Sequence, residues 1–338
     1  MKKFLFIAIL ISIFMANQAQ DRCTYLNLGT KTSGIHFGNS SITNGIRITP
    51  IDKCKERVNG INISIWSSLK EDNSVGDING IALGILTTQF NSLKGLSIGL
   101  GVKANDIKGI SLGVFGTGTE NSMKGISIGG LGTGCGGSSK GILIGGLGAG
   151  TGGNMKGFVF GGLGAGAGGD VKGIAIGGLG IGAGGNVKGL MFGGLGTGCG
   201  GNAKGILIGG LGSGCGSDIK GISIGGLGTG CGGNAKGIFL SGVGMSCGSS
   251  IKGICASGLL VKSGTEIKGA AITLGKIKTP VFKGFGVSGL FSVDSHHGLS
   301  IALFNNIKEL HGVSFGILNY AGNNKPFFRI LPVMNIHL

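Results

Sequence analysis

Tryptophan occurs once, tyrosine twice and proline four times along 338 residues, and 13 acidic residues stand against 29 Lys and Arg. Each shortage excludes something. Between Lys124 and Gly264 there is no Tyr or Trp, so that stretch lacks the aromatic girdles that mark an outer-membrane barrel. Its only aromatics are Phe158, Phe160, Phe192 and Phe239. Single-stranded nucleic acid is bound with stacking platforms as well as basic charge, so no nucleic-acid partner is expected. The same stretch has no His, and no C-x-x-C occurs anywhere, which argues against a metal site. No Ser-His-Asp grouping is recognisable. The many chance matches to G-x-G-x-x-G lack the helix and downstream acid of a dinucleotide site. The expectation is therefore a protein that is not an enzyme and needs no cofactor.

Long apolar runs are also scarce. The longest, Phe4 to Ala16, is broken only by Ser12 and follows Lys2 and Lys3. It is shorter than the roughly 20 residues of a membrane-spanning helix and fits a signal peptide over residues 1–19, with Ala19 as the small residue at the cleavage site. The mature chain is expected to be exported, to the cell surface, the outer membrane or the medium.

What is present is glycine, 79 residues of it. There is no every-third-residue period, so the chain is not collagen. A mean hydropathy of +0.41 and apolar residues at fixed offsets argue against disorder. Lys-Gly recurs at Lys124, Lys140, Lys156, Lys172, Lys188, Lys204, Lys220, Lys236, Lys252 and Lys268, each sixteen residues apart. The repeat from Lys220 reads KGISIGGLGTGCGGNA. Looser strings flank this block: NGIRI, NGINISI and NGIALGIL before it, and Lys283-Gly284, His297-Gly298 and His311-Gly312 after it. A signal peptide (1–19), an irregular N-terminal cap (20–78), a glycine-rich array (79–282) and an irregular C-terminal cap (283–338) follow from this pattern.

With Lys as position 0, positions 2 and 4 are apolar, position 7 is Leu or Val and position 11 is small. Alternation of period two predicts strands. The fold class is all-β, as a β-solenoid with two short strands per coil, GISI and LGTGC. Positions 2, 4 and 7 are expected inside, each stacking on its copy about 4.8 Å away. The alternative is an antiparallel outer-membrane β-barrel with one strand per repeat, a channel. The alternating C-terminus RILPVMNIHL favours it, and the lack of a polar lumen face opposes it.

The strings GISIGGLGTGCGGN and VKGLMFGGLGTG resemble the units of a bacterial glycine-rich surface-repeat family. The end segment HGVSFGILNYAGNNKPFFRILPVMNIHL is similar to that family's C-terminal signature. The resemblance covers most of residues 80–338, although this chain is richer in Gly and Cys. It implies a surface or outer-membrane location and no catalytic residues; export together with a repeat array leads to the expectation of a structural or adhesive rod.

Two columns could carry chemistry. Stacked Lys side chains from Lys124 to Lys268 form a ladder suited to an anionic polysaccharide or lipid headgroups, or they simply keep the array soluble. The small column at position 11 holds Cys199, Cys215, Cys231 and Cys247 in consecutive repeats. Either Cys serves there as a small apolar residue, or stacking pairs Cys199 with Cys215 and Cys231 with Cys247. Cys23 and Cys54 are a further candidate pair. Position 9 is too irregular, from Thr133 and Ala149 to Ile181 and Met245, for an ice-binding row. If positions 8, 10 and 12 face outward, a bare Gly face offers self-association. His296, His297 and His311 read as turn residues.

Overall fold

The computed structural model describes residues 23–67 and 76–337. The proposed signal peptide lies outside the described residues. The chain divides between Ala104 and Asn105 into two compact units, and both are built of parallel β-coils. The sequence-based bounds at 78/79 and 282/283 mark changes in repeat regularity, not this division.

In the C-terminal unit each repeat forms a long strand, such as Val171–Gly177, and a short one, such as Gly180–Ala183. Each long strand pairs in parallel with the long strands before and after it, at a shift of one full repeat. Lys172 thus lies opposite both Lys156 and Lys188. Short strands do the same, Ala165 beside Ala149 and Ile181. This is a β-solenoid. A barrel with one strand per repeat needs antiparallel neighbours, so the channel alternative finds no support. The antiparallel strand of this unit is its last, Ile330–His337, which covers the edge at Gly312–Tyr320 and leaves fewer unpaired backbone groups there.

Position 1 explains the Lys-Gly and His-Gly dipeptides. From Gly109 to Gly312 these glycines all take φ between +125° and +147°, a region that L side chains rarely adopt. A Cβ on Gly189 would also collide with the carbonyl oxygen of Gly173, one coil earlier. The same collision recurs along the column. Glycine here is required by conformation and by coil-to-coil approach together.

The inward face differs from expectation. Positions 2, 4 and 7 turn outward: Ile174 is 43 % exposed, Phe192 44 % and Leu227 54 %. Buried instead are position 3 (Leu143, Val159, Met191, Leu207, Phe239), position 9 (Ala149, Ile181, Met245), position 11 and the residue just before each Lys (Met155, Val171, Val187, Ile219, Ile251). Alternation separates two faces without saying which one is inside. Position 5 decides it. A Cβ on Gly145 would meet the carbonyl oxygen of Gly148, and one on Gly161 that of Gly164, because each coil folds tightly onto itself there. The face shared by positions 3 and 5 is therefore the crowded one, and positions 2 and 4 are left outside. Of the four phenylalanines in the block, only Phe239 is fully buried.

Hydrogen bonds across the narrow interior show which rows meet. Thr133 at position 9 bonds Ser127 at position 3, 2.7 Å, and Thr151 at position 11 bonds Ser139, 2.8 Å. Toward the C-terminus the interior holds an aromatic group in which His296 lies against Phe282 and Phe291, with ring centroids 5.5 and 5.0 Å apart.

The N-terminal unit uses the same corner. Gly45, Gly60, Gly80 and Gly95 have φ between +136° and +142°, and the strands Ile42–Asp52 and Arg57–Ser67 pair in parallel. Tyr25–Gly29 pairs antiparallel with Ser33–Gly38. Position 0 is Asn before Gly45, Gly60 and Gly80 and Lys before Gly95. Asn59 Nδ2 donates to Asn44 Oδ1 at 2.7 Å, and Asn79 Nδ2 to Asn59 Oδ1 at 2.8 Å.

Two predictions follow from these cores. Gly189→Ala should lower stability by about 1–3 kcal/mol through backbone strain alone, with the carbonyl clash adding to it. Gly182→Ala, where a Cβ meets nothing within 4 Å, should be neutral or raise stability by up to about 1 kcal/mol. Chemical denaturation of both variants checks the contrast. Burial pushes His296 down from 6.5 to about 4, so the unfolded chain binds a proton that the folded chain resists. Stability is complete above about pH 6.5 and should be lost as pH falls through about 4, by up to roughly 3 kcal/mol. Melting temperatures of wild type and His296→Phe between these pH values should diverge, the variant holding its value better.

Candidate functional site

The long strand places Lys at position 0, two residues before the corner-closing stretch of apolar residues and directly after a buried residue. Its side chain therefore projects outward, and every Lys from Lys124 to Lys268 is exposed. The strand pairings bring the ten into one in-register row: Lys124 opposite Lys140, Lys140 opposite Lys156, and so on to Lys252 opposite Lys268. The row continues to Lys283. Lys252 Nζ lies 3.4 Å from Glu266.

Beside this row runs a second one that the repeat pattern suggested only as a turn. At position 14, Asn154 Oδ1 accepts the backbone N–H of Asp170 at 2.8 Å, and Asp170 Oδ1 that of Asn186 at 2.7 Å. The chain of bonds continues through Asn202, Asp218, Asn234 and Ser250. Each side chain ties its own coil to the next. The backbone N–H of Asn186 and then its side-chain amide hold the Asp170 carboxyl below the usual carboxylate range. The backbone N–H of Asn234 does the same for Asp218. These carboxylates stay charged and partly offset the Lys row. The signal was available in the sequence, since the column reads Asn or Asp in six consecutive repeats. Between the rows lies an open groove of about 350 Å³, bordered by Lys172, Lys188, Lys204 and Lys220 on one side and Asp170, Asn186, Asn202 and Asp218 on the other.

The cysteines of the C-terminal unit are buried, whereas Cys23 is exposed and Cys54 half-buried. Cys23 and Cys54 are disulfide-bonded in the N-terminal unit, with Cα atoms 5.8 Å apart. Cys199 and Cys215 are bonded across adjacent coils, Cα atoms 4.6 Å apart. Cys231 and Cys247 are free thiols whose sulfurs lie 2.6 Å apart. Burial pushes the Cys255 thiol up to about 12. Positions 8 and 10 of the short strands turn outward as bare Gly, and a Cβ on Gly134 or Gly182 would meet nothing within 4 Å. His297 and His311 stand where Lys stands elsewhere and stack with centroids 4.6 Å apart.

Sequence reasoning missed a charged cluster inside the N-terminal unit. Asp52 pairs with Arg47 at 2.9 Å and with Lys55 at 2.8 Å, all three buried. Lys55 Nζ also donates to the Gln89 carbonyl at 2.8 Å and lies over the Phe90 ring. Burial alone would raise the Asp52 carboxyl, but Lys55 and Arg47 override it and hold it below its ordinary value. Burial pushes the Lys55 ammonium down. Nothing opens this cluster to solvent, and it reads as a polar core that fixes the cap.

Among the described residues, no three His, Cys, Asp or Glu side chains converge to hold a metal ion, and no helix is long and apolar enough to cross a membrane. The family models, the curated proteins and the solved structures compared with this chain gave no match.

Mild oxidation should join Cys231 to Cys247. Of the thiols at Cys135, Cys231, Cys247 and Cys255, two should then disappear from a titration of the unfolded chain, and mass mapping should place the new bond. A count that stays the same after oxidation would show that the buried pair is not placed for bonding.

Proposed function

We propose that this chain is a non-enzymatic, exported surface repeat protein of the kind its repeats resemble, and that it binds a polyanion along the Lys row. The observation that carries this reading is the parallel, in-register stacking of Lys124 to Lys268. Antiparallel units would have split the lysines between two rims. Stacked, they concentrate positive charge along one line, where each ammonium repels its neighbours and a bound polyanion relieves that repulsion. The flanking Asn/Asp row supports the reading in a second way. It fixes the coil spacing by hydrogen bonds and so holds the line of charge in a regular array. The exported setting rests on residues 1–19, with their basic start, apolar run and small residue at Ala19. Disulfide bonding at Cys23–Cys54 and Cys199–Cys215 is compatible with an oxidising compartment.

Lys172, Lys188, Lys204 and Lys220, replaced together by Gln, should weaken retention on an acidic-polysaccharide column at low ionic strength by about tenfold or more. Salt should weaken wild-type retention in the same direction. Unchanged retention of the variant would sink the polyanion reading.

A further inference from the structure

The C-terminal unit carries rows of large apolar residues on the outside. From Lys124 to Lys252 the outward residues of each long strand are Lys at position 0, then Ile, Leu or Phe at positions 2 and 4 except at Ala256, and Leu or Val follows at position 7. Successive coils stack these into continuous rows: Ile174 on Leu190 on Ile206, and Ile176 on Phe192 on Ile208. At position 7, Leu131, Leu147, Leu163, Leu179 and Leu195 are each about half exposed, from 53 % to 49 %. Summed over successive coils, these three half-exposed rows exceed the roughly 300–600 Å² of the largest apolar patch on a typical monomer. The fold does not require it. The interior rows are already filled at positions 3, 9, 11 and 15, and an outward polar residue at position 2 or 4 would leave the ladder hydrogen bonds intact.

We propose that this outward face docks on an anionic lipid bilayer, the apolar rows entering the headgroup–acyl boundary and the Lys row holding lipid phosphates. The proposal rests on the polyanion reading of the Lys row and names its ligand class. Charge decides between occupants. Positions 2, 4 and 7 carry no acid from Lys124 to Lys268. A second copy placed on this face would bring more apolar surface and another row of ten Lys, with only Asp170, Asp218 and Glu266 near each row to set against them. An acidic polysaccharide would satisfy Lys and leave Ile, Leu and Phe in water. A bilayer containing anionic lipid supplies negative charge and an apolar layer side by side, in the order in which the strand offers their complements. In an extended strand, positions 0 and 2 are roughly 7 Å apart, and a Lys stem can lie along apolar surface while its ammonium reaches a phosphate. Binding that combines a buried apolar face with attraction to anionic headgroups is the general mode of interfacial proteins. One dent breaks the face. Ala256 stands where other repeats have Ile, Leu or Phe, and a groove of about 400 Å³ opens between Leu240 and Ile272, with Ile224 and Leu274 at its ends. Its lining by Leu240, Ala256 and Ile272 is of the apolar kind that part of an acyl chain needs.

The test uses the full mature chain and vesicles of phosphatidylcholine with or without phosphatidylglycerol. One variant replaces Phe158, Phe160, Phe192 and Leu195 by Ser. A second replaces Lys172, Lys188, Lys204 and Lys220 by Gln. A third is Phe192→Trp in a Trp66→Phe background. Wild type should co-sediment with the anionic vesicles and poorly with the neutral ones. The apolar variant should bind the anionic vesicles at least tenfold more weakly while keeping its retention on an acidic-polysaccharide column. The Lys variant should lose both. The introduced Trp should shift to the blue on vesicle addition and be quenched by brominated acyl chains, a gain of signal that does not depend on loss of binding. Anionic-vesicle binding by the apolar variant equal to wild type, or a Trp signal unmoved by vesicles that bind the protein, would overturn the proposal and leave the polyanion reading standing. Loss of polysaccharide retention by the Lys variant with anionic-vesicle binding unchanged would separate the Lys row from lipid phosphates and overturn the proposal, the polyanion reading again standing. A wild-type dimer that the apolar substitutions convert to monomer, with no vesicle binding by either, would assign the face to a second copy and reject the lipid surface.

Discussion

The close approach of one glycine backbone to the next governs this molecule. At position 1 the carbonyl oxygen of each coil lies where a Cβ of the following coil would stand, as with Gly173 and Gly189. At positions 6 and 12 the same contact recurs between coils, Gly162 against Gly178 and Gly168 against Gly184. At position 5 it occurs within a coil, Gly161 against Gly164. Parallel strands in a solenoid sit at a fixed ladder spacing, and corners that must repeat at that spacing leave no room for side chains on their inner side. The glycine content is thus a consequence of tight corners stacked in register. Glycine lowers the intrinsic strand preference of the chain, and the gain that offsets this is a ladder of backbone hydrogen bonds repeated from coil to coil.

That constraint sets the inside and the outside. Once position 5 is confined to the crowded face, position 3 shares it, and positions 2 and 4 must look outward. The interior is then narrow. In most coils it sets a small residue on one wall against a larger one on the other, as Ala149 with Leu143 or Ile181 with Ala175, and polar groups bond across it, as Ser213 and Ser223 do at 2.8 Å. A free energy of burial that most proteins take from Ile and Leu comes here from a thin core plus hydrogen bonding. The Ile and Leu of positions 2, 4 and 7 remain in solvent, which makes the exterior unusual and gives it a chemical character of its own.

The exterior is ordered in rows because the interior is. Any residue type held at a fixed position becomes a ladder when coils stack without offset. Lys at position 0 becomes a line of charge, Asn and Asp at position 14 become a chain of hydrogen bonds, and Ile, Phe and Leu become an apolar strip beside them. The N-terminal unit shows the same rule with different chemistry. Asn44, Asn59 and Asn79 at position 0 form an amide ladder, and its interior holds the Arg47–Asp52–Lys55 cluster where the C-terminal unit holds apolar side chains and neutral hydroxyls.

The sixteen-residue spacing, the alternation of Ile-x-Ile and the glycines between them determined strands, repeats and an all-β class without any coordinates, because these are local properties of the backbone and of side-chain polarity. The Lys and Cys columns were legible for the same reason. Three matters waited for the tertiary structure. Parallel stacking was one, since a repeat with one strand or two per unit reads alike in sequence, and only the pairing of Lys172 with both Lys156 and Lys188 separates them. The sulfur partners were another, because Cys199–Cys215 and Cys231–Cys247 occupy the same column and differ in whether they are bonded. The third was the direction of each face. Period two says that positions 2 and 3 lie on opposite sides, and hydrophobicity alone assigned Ile174 to the core and Ala175 to the surface. The reverse holds, because the space available beside Gly177 and not the polarity of Ile174 decides which side can close.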